Sequence, residues 1–304
     1  MVFLGGESNP FRRAAPMTDF ALAHEPAVRA GLFIAVLAAM AAWEWIAPRR
    51  PRALPRRGRW PGNLGIAVLN TAAVRLLFPT TAVALALAGE RHGWGLLNRA
   101  GWPAWAKLAA AVPVLDLAIY LQHVLFHAVP ALWRLHRVHH SDVDFDATTG
   151  VRFHPVEIAL SLGIKLMVVA ALGAPALAVL IFEALLSATS LFNHGNVRIP
   201  ARADRLLRRL LVTPDMHRVH HSWVPRETNS NFGFNLSWWD RLFGTYRAQP
   251  EAGHAAMTIG LAEFRQPGDA RLDRLLLQPL LAGAAGVPLP GRQSGTDGSS
   301  EAGD

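Results

Sequence analysis

Apolar positions in this chain gather into four long runs rather than alternating with polar ones. Residues 27–47 form the first, and residues 64–89 a longer second run with Arg75 inside it. The third, residues 107–129, opens at Lys107 and carries a histidine pair near its end. The fourth, residues 156–192, holds about 37 residues and is interrupted at Gly173-Ala174-Pro175. A helix needs roughly 20 apolar residues to cross a hydrocarbon core about 30 Å thick. The first three runs therefore predict single membrane helices. The fourth predicts two short spans in a tight hairpin, with Pro175 at the second helix start. The expected fold is all-α, an integral membrane bundle of about four to five segments.

Composition agrees with that picture: 51% of residues are hydrophobic, 17% are charged, and the mean hydropathy is +0.21. The first 26 residues lack a basic start, an apolar core and a small-residue cleavage site, so no signal peptide is expected. Arg49, Arg50, Arg52, Arg56, Arg57 and Arg59 lie between the first two runs. Such a cluster is retained on the cytoplasmic side. Alternating the spans from there places residues 130–155, and everything from residue 194 onward, on that same face. The expected location is an integral membrane protein of a bacterial inner membrane.

The net charge of +8 does not indicate nucleic-acid binding, because the arginines flank apolar segments rather than interleaving with stacking aromatics. Residues 201–212 and 270–282 mix Arg with Leu at helical spacing, which suits interfacial helices or amphipathic helices packed on the domain. The last 15 residues read as a disordered tail. Zero cysteines exclude disulfides, thiolate zinc sites, iron–sulfur clusters and a cysteine nucleophile.

The chemistry lies in the histidines. Eight of the 13 fall into three groups: His123-x3-His127, His136-x2-His139-His140 and His217-x2-His220-His221. Positions i, i+3 and i+4 share a helix face, so each group points its rings one way. Neutral imidazole is the commonest protein metal ligand, and three such faces can converge on one or two ions. His194, in Asn193-His194-Gly195-Asn196, and His154, before Pro155, are further candidates; His24, His92 and His254 are isolated. A single zinc takes three or four protein ligands, so this many imidazoles suit two metals better than one. The nitrogen-rich set admits iron, copper or zinc.

Asp116, Tyr120, His123 and His127 form one stripe of a helix. An acid inside an apolar run is expensive. Asp116 is expected either to accept a hydrogen bond from a ligand histidine or to pair with a distant Arg such as Arg75. Asp142, Asp144 and Asp146 read as a solvated loop, or else as support for the preceding histidines or a polar headgroup. Asn229, Asn231, Asn235 and Trp238-Trp239-Asp240 close the domain, with Asp240 orienting a histidine or capping a helix.

These motifs, with HHSDVDFDATTGVRFHP (139–155), NHGNV (193–197), TPDMHRVHHS (213–222) and NFGFNLSWWDRLFGTYR (231–247), resemble the fatty acid hydroxylase/sterol desaturase superfamily. The resemblance runs from about Asp116 to Arg247. It implies a membrane di-iron enzyme, in which zinc can substitute, that uses dioxygen to hydroxylate or desaturate a lipid C–H bond. It also implies that the eight clustered histidines and His194 are metal ligands, with His154 a ligand or a support to one. The resulting organisation is a tail (1–26), two membrane helices (27–107), a catalytic domain (108–247) and a C-terminal amphipathic segment and tail (248–304). No nucleotide fingerprint is present, so a separate electron-donor protein is expected. A membrane zinc hydrolase and a non-catalytic metal-binding protein are the competing readings; the first lacks H-E-x-x-H, since Val124 follows His123. The lipid stays open among sterols, acyl chains, ether lipids, sphingoid bases and carotenoids.

Overall fold

The structure is a computed structural model, and it describes residues 15–281. The expected tail over the last 15 residues lies outside the described residues. A short helix, α1 (Ala15–Ala23), precedes α2 (Glu25–Ile46), α3 (Arg56–Leu77), α4 (Ala82–His92) and a single turn, α5 (Leu96–Arg99). Then come α6 (Ala104–Ala128), α7 (Pro130–His140), α8 (Pro155–Leu172) and α9 (Ala176–Asn193). The remaining helices are short: α10 (Ala201–Leu207), α11 (Pro214–His220), α12 (Pro225–Thr228), α13 (Trp238–Leu242), α14 (Gly253–Ala256) and α15 (Leu272–Leu277). The described residues contain isolated β-bridges but no strand.

Among the described residues, five stretches are long and apolar enough to cross a membrane: α2, Arg56–Arg99, α6, α8 and α9. Large apolar side chains on them point outward, among them Ile34, Trp45, Val68, Leu76 and Met167. That surface is unsuited to water and suited to acyl chains. The second apolar run is not one straight helix. It breaks at residues 78–81, where Pro79 has no amide hydrogen to continue the ladder and the Thr81 hydroxyl caps α4 by accepting from Ala84 N at 3.1 Å. The hairpin turn lies where expected: Gly173 closes α8 in a left-handed conformation (φ 64°), and Pro175 is the residue before α9.

Helix α9 is central, packing against α2, α4 and α6. The α4–α9 contact is built from small residues, Ala82 and Ala86 against Ala176, Ala178 and Val179, which let the backbones approach closely. The C-termini of α6 and α9 and the N-terminus of α8 share one end of the bundle. The α2–α3 loop joins them there: Arg49 N donates to Asn196 O at 3.0 Å, Arg198 N to Ala47 O at 2.9 Å, and the Arg49 guanidinium pairs with Asp215 at 3.1 Å. The arginine-rich loop and the histidine segments thus occupy the same side, as the alternation of spans requires.

Arg59 differs from the other arginines of that cluster. It is fully buried, forks onto both oxygens of Asp142 at 2.6 Å, and reaches Asp146 at 2.7 Å. Asp142, Asp144 and Asp146 are correspondingly buried, which overturns their reading as a solvated loop. Asp144 accepts the amides of Ala53 and Leu54 at 2.9 and 2.8 Å. Burial alone would raise the Asp142 carboxyl, but Arg59 and Arg152 hold it well below the usual range. Residues 270–281 also pack inward: Leu275 sits with Ile66 and Val138, and the Ser141 hydroxyl donates to Gln278 Oε1 at 2.8 Å.

Truncating one partner of a buried ion cluster leaves uncompensated charge, at about 3–5 kcal/mol. Arg59→Met is therefore expected to cost about that much stability, measured as unfolding of the detergent-solubilised protein. An effect within about 0.5 kcal/mol, the range of an unremarkable surface substitution, would contradict the assignment.

Candidate metal centre

Local structure sets the rings before tertiary packing gathers them. His123 and His127, four residues apart, end α6 on one face. Val129 then leaves helical geometry, and Pro130 starts α7, so the chain turns and presents His136, His139 and His140 back toward α6. His194 is the residue that closes α9. Thr213 starts α11 by accepting from Met216 N at 3.3 Å, and Pro214 occupies its first turn, setting His217 and His220 on the helix and His221 at its end.

All nine rings are buried, and they divide into two groups. His123, His127, His136, His140 and His220 form one; His139, His194, His217 and His221 form the other. Within each group, one ring nitrogen from every histidine lies within 4.8 Å of the others. Each H-x-x-H-H motif is shared between the groups. The i, i+4 pair of α7, His136 and His140, joins the first group and His139 the second, whereas His217 and His221 join the second and His220 the first.

The second group cannot be explained as hydrogen bonding alone. Nε2 of His194 lies 3.1 Å from Nε2 of His139, 3.1 Å from that of His217 and 3.2 Å from that of His221. His194 Nδ1 donates to the Ser190 carbonyl at 2.7 Å, so its Nε2 carries only a lone pair in the neutral ring. One lone pair does not accept three donors. Nitrogens about 2.0–2.1 Å from a common ion stand about 2.9–3.4 Å apart, so the spacing fits a bound metal. In the first group, Nε2 of His123 and His136 are 3.1 Å apart, while Nε2 of His140 and of His220 has no hydrogen-bond partner among the described residues.

Several outer contacts fix the rings. His123 Nδ1 donates to Phe232 O at 2.8 Å, His220 Nδ1 to Ser230 O at 2.8 Å, and His136 Nδ1 to Glu157 at 2.6 Å. Each bond selects the tautomer whose Nε2 faces the cluster. His139, His217 and His221 are held by stacking instead: His139 on Phe153 at 4.3 Å, His221 on His140 at 4.5 Å and His217 on His220 at 5.1 Å. Trp133 and Phe232 line the first group, and Phe145 and Phe234 the second.

The other residues singled out from the sequence lie around this centre, not in it. His154 is outside both groups; its Nδ1 accepts from Val156 N at 3.2 Å to cap α8, and its Nε2 lies 3.3 Å from Leu276 O. Asp116 contacts neither a histidine nor Arg75. It accepts from Asn235 Nδ2 (2.8 Å), Leu236 N (3.0 Å) and Trp239 Nε1 (2.9 Å), tying the loop before α13 to the interior of α6. Asp240 accepts the amides of Phe232 and Gly233 at 2.7 and 2.8 Å and the Thr245 hydroxyl at 2.7 Å. It therefore acts on His123 through the Phe232 carbonyl rather than by touching a ring. Burial raises the Asp240 carboxyl to about 6, against the lowering effect of those hydrogen bonds. Tyr120 joins the same chain, its hydroxyl 2.8 Å from Thr245 Oγ1.

Two acids escaped the sequence reading. Glu157 contacts His136 directly; the signal was an acid in the first turn of an apolar helix. Glu44, fully buried in α2, accepts from Ala147 N at 2.7 Å and Asn196 N at 3.1 Å, and so pins the loops beside His140 and His194. His254 sits near Asp215, which pairs with Arg218.

Residues 108–245 match the family described as fatty acid hydroxylase. The chain is 28% identical over 252 residues to an ornithine lipid hydroxylase of Rhizobium tropici, an alignment covering 78% of this chain and 74% of that protein. It is 28% identical over 167 residues to alkylglycerol monooxygenase of Xenopus tropicalis, covering 53% of this chain and 35% of the relative. With cholesterol 25-hydroxylase of Rattus norvegicus it is 28% identical over 139 residues, covering 45% of each. The chain thus spans less than half the length of these last two. No solved structure matches it.

Removing the Glu157 carboxylate is expected to weaken metal binding about 10- to 100-fold, the usual cost of losing a partner behind a ligating histidine. Metal titration of Glu157→Gln checks this; wild-type affinity would show that His136 is not a ligand. The pH dependence follows from burial, which lowers His136 and His194 from 6.5 to about 3 and pushes His139, His140, His217, His220 and His221 well down. The unfolded chain then binds more protons than the native one below about pH 6.5, so native stability falls as pH drops from there toward 3. Unfolding of metal-free protein across pH 4–8 should show the loss beginning near 6.5. Added metal should raise stability across the range, so that unfolding itself occurs at lower pH.

Proposed function

We propose, because the chain belongs to the fatty acid hydroxylase/sterol desaturase superfamily, that it is a membrane oxidoreductase inserting oxygen into a lipid C–H bond. Nine buried imidazoles in groups of five and four, at one end of a membrane bundle, carry this reading. The ligands are His123, His127, His136, His140 and His220 for one ion, and His139, His194, His217 and His221 for the other. Iron is the metal proposed, because the relatives named above are hydroxylases and monooxygenases. Two irons would supply the redox chemistry that activates dioxygen, drawing electrons from a separate donor protein. Hydroxylation is preferred to desaturation on the same names. A polar-headed membrane lipid is the proposed substrate class.

The chain's own residues have three tasks. Glu157, Ser190 O, Ser230 O and Phe232 O hold His136, His194, His220 and His123 in the tautomer that leaves Nε2 unprotonated. Trp133, Phe153, Phe232 and Phe145 wall the rings with apolar surface and exclude bulk water, which protects a reactive oxidant from side reactions. Asp240 and Thr245, with Tyr120, keep the Phe232 loop in place. The site's position at the membrane end of the helices lets an acyl chain enter from the bilayer while its headgroup stays in the interface. The arginine-rich α2–α3 loop on the same side supports a cytoplasmic orientation.

The decisive test combines metal and product. Purified protein should carry two irons per chain and consume oxygen only with an added reductant. Cells making it should gain a lipid class heavier by one oxygen atom, and His220→Ala should abolish that gain. One zinc per chain with no oxygen uptake would sink the proposal.

A further inference from the structure

A depression of about 490 Å³ opens beside α10, lined by Arg202, Arg205, Arg208, Arg209, Arg241 and Tyr246. Its basic residues are unequal. Arg208 is buried against Asp204, and Arg241 lies over the Tyr246 ring at 3.9 Å and donates to Arg208 O at 2.9 Å, so these two are fixed. Arg202, Arg205 and Arg209 are exposed and form no ion pair among the described residues. Five guanidinium groups around one concavity, with a single carboxylate already engaged, make a site for an anion.

The surroundings of this depression point to the anion's source. The segment carrying α13 is hydrogen-bonded to Asp116, midway along the membrane helix α6, and Asn193 at the end of α9 donates to Phe234 O at 3.0 Å. Trp238, Leu242 and Phe243 on that segment, and Leu206 and Leu210 on the other wall, are all exposed. Trp238 Nε1 donates to Arg209 O at 3.1 Å, joining the two walls. Exposed apolar residues tied to a membrane helix, beside arginines without ion pairs, match an interfacial surface, where leucine and tryptophan enter the acyl boundary and arginine meets phosphates. We propose that this depression binds the anionic headgroup of a membrane lipid.

The test uses the full-length protein in zwitterionic detergent micelles doped with phosphatidylglycerol or phosphatidylcholine of matched chains. Native mass spectrometry counts retained lipid, and inorganic phosphate is the competing free anion. Wild-type protein should retain phosphatidylglycerol over phosphatidylcholine, and phosphate should not displace it. Each arginine removed should weaken retention about fivefold, so Arg202→Gln/Arg205→Gln/Arg209→Gln should lose about a hundredfold. Its metal content should stay at the wild-type level, which shows the fold intact, and lysine at the same three positions should restore most of the preference. Undiminished preference in the glutamine variant overturns the proposal. So does displacement by phosphate, which would mark a free-anion site. Loss of binding to an acidic electron-donor protein with lipid retention unchanged would assign the patch to a protein partner instead.

Discussion

Everything in this structure serves one electrostatic requirement: nine imidazoles must stand side by side, uncharged, in a space without water. Protonated rings at these separations would repel one another strongly in a low-dielectric interior. Neutral rings are tolerated only if their lone pairs find a common acceptor. The dense aromatic lining and the outer carbonyls and carboxylates follow from that need. They exclude solvent, fix tautomers and leave the inner nitrogens facing each other.

Much of the holding is done by helices outside the stretch that matches the family. Arg59 and Glu44 lie in α3 and α2, yet they clamp the loops that follow His140 and His194. The stretch that matches the family is therefore not a free-standing module. Its loops are ordered by charged contacts to the preceding membrane helices, where an unsatisfied partner is expensive.

The membrane helices and the histidine faces were legible from the sequence because both depend on local periodicity. Twenty apolar residues have few alternatives, and i, i+3, i+4 spacing survives in any helix. The division of each motif between two groups was not legible, because it depends on how α7 and α11 face each other. Arg59 illustrates the limit well: in sequence it is one of six arginines in a topogenic cluster, and only packing shows that it is the buried one. The three aspartates after His140 were misread for the same reason, since their partner is about 80 residues away. Glu157 was missed because a helix-start acid is ordinary until its neighbour is known. The break at Pro79 was readable, but the length of the apolar run outweighed it.

The sharing of α7 and α11 between the two histidine groups has a thermodynamic corollary. On the proposed two-metal reading, an ion held in either group would fix both helices, and with them the rings of the other group. Occupancy of one group would then be coupled to affinity at the other.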